Sequence, residues 1–452
     1  MKANVPPQAL VCFSEYNHSL KPVVQFIFIV LFSMTSLSNI HAQDLGKILH
    51  DSHDVFKEKT ITKRRFGHQT LVNRIEVLKQ HKLFDVSVAT KSTEGRDIYL
   101  VKCGTGKIKV LLWSQMHGDE PTATMALMDI FNFLTGEHFQ KTPENAPFLS
   151  LFREDLLRKC TFYVVPMLNP DGAEAWTRYT ALGIDMNRDA LALQTPEGRL
   201  LKQLVLDLKP DFSFNLHDKN RLYSAGQSGN LSTISFLATA FNQQEEVSSN
   251  RKKAMQVIVG MNQAIQSYIP NSVGRWSSEH EPRAFGDNIQ LWGREWDGSL
   301  ILIESGGRKN DPEKQYIRKL NFVALLTGFQ SIINKSYKKN NLKEYQALPE
   351  NSRAIFDLII RKATIRKGTI TYQADLAINR TERPVKGKDY FTTSAAIEEI
   401  GDMSVFFGTD EIDASNMEII TENEIALGSK ADFQIAKDGK VVYTVKNGVI
   451  QN

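Results

Sequence analysis

Four nearly unbroken apolar runs constrain this chain more than any other feature. Val110–Ser114, Thr161–Val165, Phe212–Leu216 and Leu300–Ile303 lack the in–out alternation of a strand with one wet face. Each therefore reads as a strand buried on both sides. A fifth candidate is Asp97–Lys102. Helical patterns separate these runs. Pro121 to Leu134 places Ala123, Ala126, Leu127, Ile130, Phe131 and Leu134 on one face, with Gly136 as a stop. Glu197–Leu208 repeats the pattern with Leu200, Leu201, Leu204 and Leu208 ahead of Pro210. Asp311-Pro312 reads as the opening of another helix, Asp as cap and Pro in the first turn. Buried strands alternating with helices predict an α/β fold, a mixed, largely parallel sheet covered by helices on both faces.

At 452 residues the chain exceeds what one core usually holds. The pattern changes after Ser336–Glu350, a polar stretch that reads as a linker. Beyond it lie shorter, more alternating runs: Ile355–Ile360, Gly368–Tyr372, Ile419–Ile420, Phe433–Ile435 and Val441–Val445. Asp438-Gly439 and Asn447-Gly448 supply turns. The expected organisation is an α/β domain over 43–340 followed by a small all-β domain over 350–452.

The N-terminus points to export. Lys21 precedes an apolar run from Val23 to Phe32, and Ile40-His41-Ala42 follows small and polar residues. Such a run is too short to span about 30 Å of hydrocarbon as a helix. A basic residue, a short apolar run and a small residue at a break describe a secretory signal peptide over 1–42, cut at Ala42–Gln43 or Gln43–Asp44. The expected location is periplasmic or secreted, with no stable membrane span once the leader is removed. Cys103 and Cys160 stand outside that leader at the edges of strand-like runs, and without a wider disulfide framework they are expected unbridged. Hydrophobic residues at 42% and charged residues at 23% exclude a disordered chain. The formal charge of +4, with no basic run of five, gives no electrostatic support for a nucleic-acid partner.

The chemistry begins at the ends of the buried runs. In an open α/β sheet, ligands bind beyond the carboxyl ends of the strands. The run ending at Ser114 leads into a short loop bearing His117 and Glu120. A His and a Glu three apart in such a loop can both turn towards one metal ion. A catalytic zinc takes three protein ligands and keeps one position open, and His217, at the end of Phe212–Leu216, is the candidate third. His50 and His53 could mimic a metal pair, but no strand holds them. Glu304 ends the run Leu300–Ile303. A carboxylate there is costly unless it has a partner or a task, and beside an activated water its task is general base. The run ending at Val165 leads to Asn169-Pro170-Asp171-Gly172, then Arg178, then Gly183-Ile184-Asp185-Met186-Asn187-Arg188. Two arginines and an amide near a metal make an anion site.

HGDEP, NPDG, GIDMNRD, the strand-ending His217 and LIES, in this order, resemble the zinc carboxypeptidases of the carboxypeptidase A type over about Glu58 to Ile333. The resemblance implies Zn2+ held by His117, Glu120 and His217, with Glu304 as general base. It implies that Arg178 stabilises the oxyanion, that Asn187 and Arg188 hold the substrate's terminal carboxylate, and that Asp185 orients a zinc-bound histidine. Many members carry a tyrosine some twenty residues before the base. Val273–Trp296 has none and offers Trp276, His280, Trp292 and Trp296 instead, with Arg283 in Glu281–Asp287 as an alternative anion clamp. The expected function is an exported zinc metallocarboxypeptidase that hydrolyses the C-terminal bond of peptides. The alternatives are a zinc amidase or deacylase acting on small N-acyl or cell-wall peptide substrates, and a catalytically silent peptide-binding protein.

Overall fold

The computed structural model describes residues 42–142, 144–276 and 280–451. Its first half is built on β1 (Asp85–Lys91), β2 (Asp97–Cys103), β3 (Ile108–Ser114), β4 (Cys160–Val165), β5 (Phe212–Asp218), β6 (Ser224–Ala225), β7 (Ile234–Leu237), β8 (Val273–Arg275) and β9 (Ser299–Ser305). All but β6 form one sheet in the order β1-β2-β4-β3-β5-β9-β7-β8. The centre, β4-β3-β5-β9, is parallel, and antiparallel β2 and β7 flank it. These four central strands are the four apolar runs, as burial on both faces requires.

Each face has its own core. Val110, Leu112, Phe214 and Ile303 point to one side, where Ala42–Phe56, Thr122–Thr135, Ser249–Ile265 and Gln315–Asn334 cover them. Leu111, Trp113 and Leu300 point to the other, against Pro196–Leu208 and Phe285–Gly293. The fold is thus α/β, with a mixed, largely parallel sheet clad on both faces.

Three expectations are corrected in detail. The last long helix starts at Gln315, not at Asp311-Pro312, because Lys314 takes a left-handed φ of 51°. Asp311 still caps it from upstream, accepting from the backbone N–H groups of Tyr316 and Ile317 at 3.0 Å each. The polar stretch read as a linker is packed in place. It forms a 3-10 turn (Ser336–Lys339) and a short helix (Leu342–Gln346), with Tyr337 and Tyr345 buried and the Tyr345 hydroxyl accepting from Ala238 N at 3.0 Å. The polar segment holding His50 and His53 is an amphipathic helix whose Leu45, Leu49 and Phe56 are fully buried. His53 Nε2 meets Asp129 Oδ2 at 2.8 Å inside the core, where Arg318 Nε also donates to Asp129 at 2.7 Å. These two histidines are structural.

The chain continues through β10 (Asn351–Ser352), which pairs with β6, into β11 (Ile355–Lys367), β12 (Ile370–Pro384), β13 (Phe391–Gly401), β14 (Phe407–Asp413), β15 (Glu418–Ile420), β16 (Phe433–Lys437), β17 (Lys440–Lys446) and β18 (Val449–Gln451). The sheet order is β13-β12-β11-β15-β16-β17-β18, with β14 also on β11. It closes over its own core, which includes Leu358, Ile360, Ile378, Ile397, Phe433 and Ile435. The expected leader, but for Ala42, lies outside the described residues. Among those residues no helix is long and apolar enough to cross a membrane. Cys103 and Cys160 are buried free thiols, and burial pushes both up to about 12.

Candidate metal centre

The parallel strands deliver the site from one sheet edge. β3 ends at Ser114, and Gln115 then turns the chain at a left-handed φ of 47°. Its side chain holds the turn, donating to Gly118 O at 2.9 Å and accepting from Thr124 Oγ1 at 2.8 Å. A Cβ on Gly118 would fall 1.9 Å from the Gly172 carbonyl carbon. Only glycine therefore lets this turn meet the Asn169–Gly172 corner. That corner is a scaffold: Asn169 Oδ1 accepts from Gly172 N at 2.9 Å, and its amide donates to Tyr179 O at 3.2 Å.

The turn presents His117 and Glu120. His117 Nδ1 stands 2.7 Å from Glu120 Oε1, and His217 Nδ1 stands 2.7 Å from Glu120 Oε2. All three side chains are buried, with ligand atoms within 4.8 Å of one another. The His117 Nε2–H points the other way, to Asp185 Oδ1 at 3.2 Å, which fixes the ring. Asp185 is itself held by Arg178 Nε at 2.9 Å and Asn187 N at 2.9 Å. Arg178 Nη1 reaches 3.1 Å from His117 Nδ1 and 3.6 Å from Glu120.

Burial opposes every charge here, and at His117 and Glu120 the pairing overrides it. Burial alone would lower His117, yet the carboxylates of Glu120 and Asp185 raise it to about 9. Burial would raise Glu120, yet the two imidazoles hold it far below the usual carboxylate range. Two imidazole nitrogens and one carboxylate on one point suit a zinc-like divalent ion. The buried Nε2 of His217 has no partner among the described residues, and neither does Glu304 Oε2. A cation drawing electrons through Nδ1 is consistent with the neutral ring that burial imposes on His217.

Glu304, the penultimate residue of β9, is in register with His217 on β5. Burial, then the neighbouring Glu120, pushes its carboxyl well above the ordinary value. Glu304 lines a cleft of about 1130 Å³ together with the three candidate ligands, Arg178, Asn187 and Arg188. The sequence-predicted residues thus share one cleft, Asp185 lying just behind it. Arg188 is already engaged: its Nε lies 3.3 Å from Glu281, which also accepts from Arg283 Nη2 at 2.8 Å. The segment around Glu281 lines the pocket through Glu281, Ala284, Gly286 and Asp287.

Sequence reasoning missed two cleft residues. Lys219 lies two positions beyond His217 and so falls on the same side of the chain, the one signal that could have found it. Its ammonium donates to Ser232 Oγ at 2.8 Å, and burial pushes it down to about 7 against the pull of Glu304. Tyr223 is the other. It stacks edge-on with Trp276, ring centroids 5.1 Å apart, and brings a phenol to the cleft from outside the 273–296 window. Of the tryptophans in that window only Trp276 lines the cleft. Trp296 donates to Pro210 O at 2.9 Å, and Lys202 sits over the ring of Trp292.

This combination of sheet, turn and ligand set has a counterpart among known families. Residues 75–220 match the family model described as zinc carboxypeptidase. The likeness read from the sequence is therefore a finding over that span, and the β-region that follows is an addition to it. Among individual proteins, the chain is 25% identical over 230 residues to carboxypeptidase 2 of Trichophyton tonsurans, covering 48% of this chain and 36% of that protein. It is 24% identical over 203 residues to carboxypeptidase 2 of Trichophyton rubrum, covering 45% and 31%. The chain spans about a third of the length of these relatives. Among solved structures it is similar to a metallo-carboxypeptidase from Burkholderia cenocepacia, 16% identical over 60% of this chain and 70% of that one, TM-score 0.48. A carboxypeptidase A from Helicoverpa armigera is 15% identical over 61% and 75%, TM-score 0.44.

Proposed function

We propose that this chain is an exported zinc metallocarboxypeptidase that removes single residues from the C-terminus of peptides. The observation that carries the proposal is the convergence of His117, Glu120 and His217 on one point beside Glu304. The three converging side chains would hold zinc. A bound zinc ion would polarise the scissile carbonyl and lower the pKa of water at that point.

The chain's own groups do the rest. Glu304, buried at the end of β9, takes the proton of the attacking water on its carboxylate and passes it to the leaving amine. The neighbouring Lys219 and His117 oppose the rise in its pKa and so favour the form that can accept that proton. Arg178, beside His117, places positive charge where the oxyanion develops. Asp185 keeps His117 in one tautomer. Asn187 and Arg188 receive the terminal carboxylate, Arg188 through a guanidinium fork. The catalytic unit is taken as residues 43–340, with 350–452 as an appended β-domain. Residues 1–42 are taken as a leader that directs the protein out of the cytoplasm.

The test is mass spectrometry of a mixed peptide library incubated with the zinc-loaded protein, Glu304→Gln run alongside. Loss of single C-terminal residues by the parent alone, and none from C-terminally amidated peptides, is the expected result. Cleavage of amidated peptides would replace the carboxypeptidase with an amidase. A zinc-loaded protein that cleaves nothing would leave peptide binding as its role.

A further inference from the structure

The cleft is larger than one residue needs, and part of its wall comes from the second sheet. Ligand pockets run from roughly 300 to 1,000 Å³, and this cleft reaches about 1130 Å³. Arg188, Glu281 and Gly286 line it, and so do Asn379, Thr381, Thr393 and Thr409 of the β-domain.

That wall is fixed to the metal centre. Arg221, four residues past His217, grips both oxygens of Asp357 on β11 with its guanidinium. Asp357 is buried and also accepts from Arg380 N and Nη2 at 2.8 Å each. Lys219 reaches Asn351 Oδ1 at 3.3 Å. Further out, Arg64 pairs with Glu382 and lies 4.4 Å over the Phe391 ring, which meets Trp176 edge-on at 5.2 Å. A two-point ion pair on a buried carboxylate is costly to break, so the β-domain holds one position relative to the candidate ligands. Its cleft-facing surface is polar. The hydroxyls of Thr381 and Thr393 make no hydrogen bond among the described residues, and Arg221 and Arg380 share a single carboxylate. Unspent donors along a cleft suit the amides and carbonyls of an extended peptide, which must find partners when they leave water.

We propose that the C-terminal β-domain is the outer wall of the substrate cleft and binds the peptide segment on the amino side of the scissile bond. This rests on the carboxypeptidase reading, which puts the terminal carboxylate at Arg188 and so sends the rest of the peptide towards the β-domain. The domain makes the enzyme selective for extended peptides of several residues over N-acyl dipeptides.

The experiment measures kcat/KM on a length series, from an N-acyl dipeptide to a hexapeptide with the same two C-terminal residues. It compares the parent with Thr393→Trp. Thr393 is exposed on edge strand β13, and tryptophan is a good strand former, so the fold is kept. The parent should gain at least tenfold with length. The variant should lose that gain while its dipeptide rate stays within about twofold, which also reports correct folding. A flat length profile in the parent, or a variant equally slow on both peptides or on neither, overturns the inference alone. A parent that cleaves no peptide of any length overturns both it and the carboxypeptidase reading.

Discussion

The Glu281 carboxylate lies 3.3 Å from the Arg188 guanidinium, and Arg283 holds the same carboxylate through Nε at 3.0 Å and Nη2 at 2.8 Å. Hydrogen bonding from Arg283 keeps Glu281 ionised, with its pKa lowered to about 2. A substrate carboxylate approaching Arg188 thus meets an internal competitor. Glu281→Gln should lower KM for free-carboxylate peptides several-fold and leave kcat within about twofold, the pattern of a change in uniform binding. An unchanged or raised KM would count against Arg188 as the carboxylate site.

His217→Ala removes one of the three candidate ligands from a buried site. The variant should lose stoichiometric zinc by elemental analysis. It should also lose the rise in Tm that zinc gives the parent, because an ion bound only to the folded state stabilises it by mass action. Equal metal content in the two proteins would remove His217 from the ligand set.

Glu304→Gln keeps size and removes the proposed proton acceptor. Zinc content should match the parent while turnover falls by about a hundred- to ten-thousand-fold, the usual contribution of a general base. A retained rate would move that role elsewhere.

Glu197, fully buried in the first turn of Pro196–Leu208, has its carboxyl raised to about 6, by burial first and then in part by Asp171. A folded-state pKa above the unfolded value means the native state binds the extra proton. The stability it confers is complete below about pH 4.5 and is lost as pH climbs through 6, a fall of at most about 2 kcal/mol. Denaturant melts of Glu197→Gln should lack this slope, so the variant gains on the parent between pH 4 and 7. Parallel curves would refute the assignment.

The buried, high-pKa thiols of Cys103 and Cys160 should resist alkylation in the folded protein and react only after unfolding, each adding one alkyl mass. An unreduced protein two hydrogens lighter would reveal a bridge.

The parts legible in the sequence are those where one physical requirement dominates. A strand buried on both faces must be apolar throughout, so β3, β4, β5 and β9 stand out, and the polar residues near the ends of β5 and β9 are conspicuous. His217 and Glu304 emerge this way. Short partners such as β7 and β8 have too few residues to show a period. Lys219 and Tyr223 were hidden for another reason: their importance comes from which wall they face, a property of the tertiary fold. Glu281 is hidden likewise, because an acid beside an arginine two residues on reads as a local surface pair until Arg188 arrives from nearly a hundred positions upstream. The packing of Tyr345 under Ala238 was masked by the lysines and asparagines around it.

The helix Ala42–Phe56 is the first element among the described residues, yet most of what it packs on is made much later. Arg318 donates to the carbonyl of Glu58, just past that helix, across 260 positions. A nascent chain therefore carries this helix with its apolar stripe only partly covered, Phe56 meeting Phe133 and Phe139, until Ser249–Ile265 and Gln315–Asn334 have been synthesised, contacts of very high order that slow folding. Fragments ending before Asn334 should be sticky and protease-sensitive rather than partly native. A chaperone guarding the emerging polypeptide would find its natural grip at Leu45, Leu49 and Phe56.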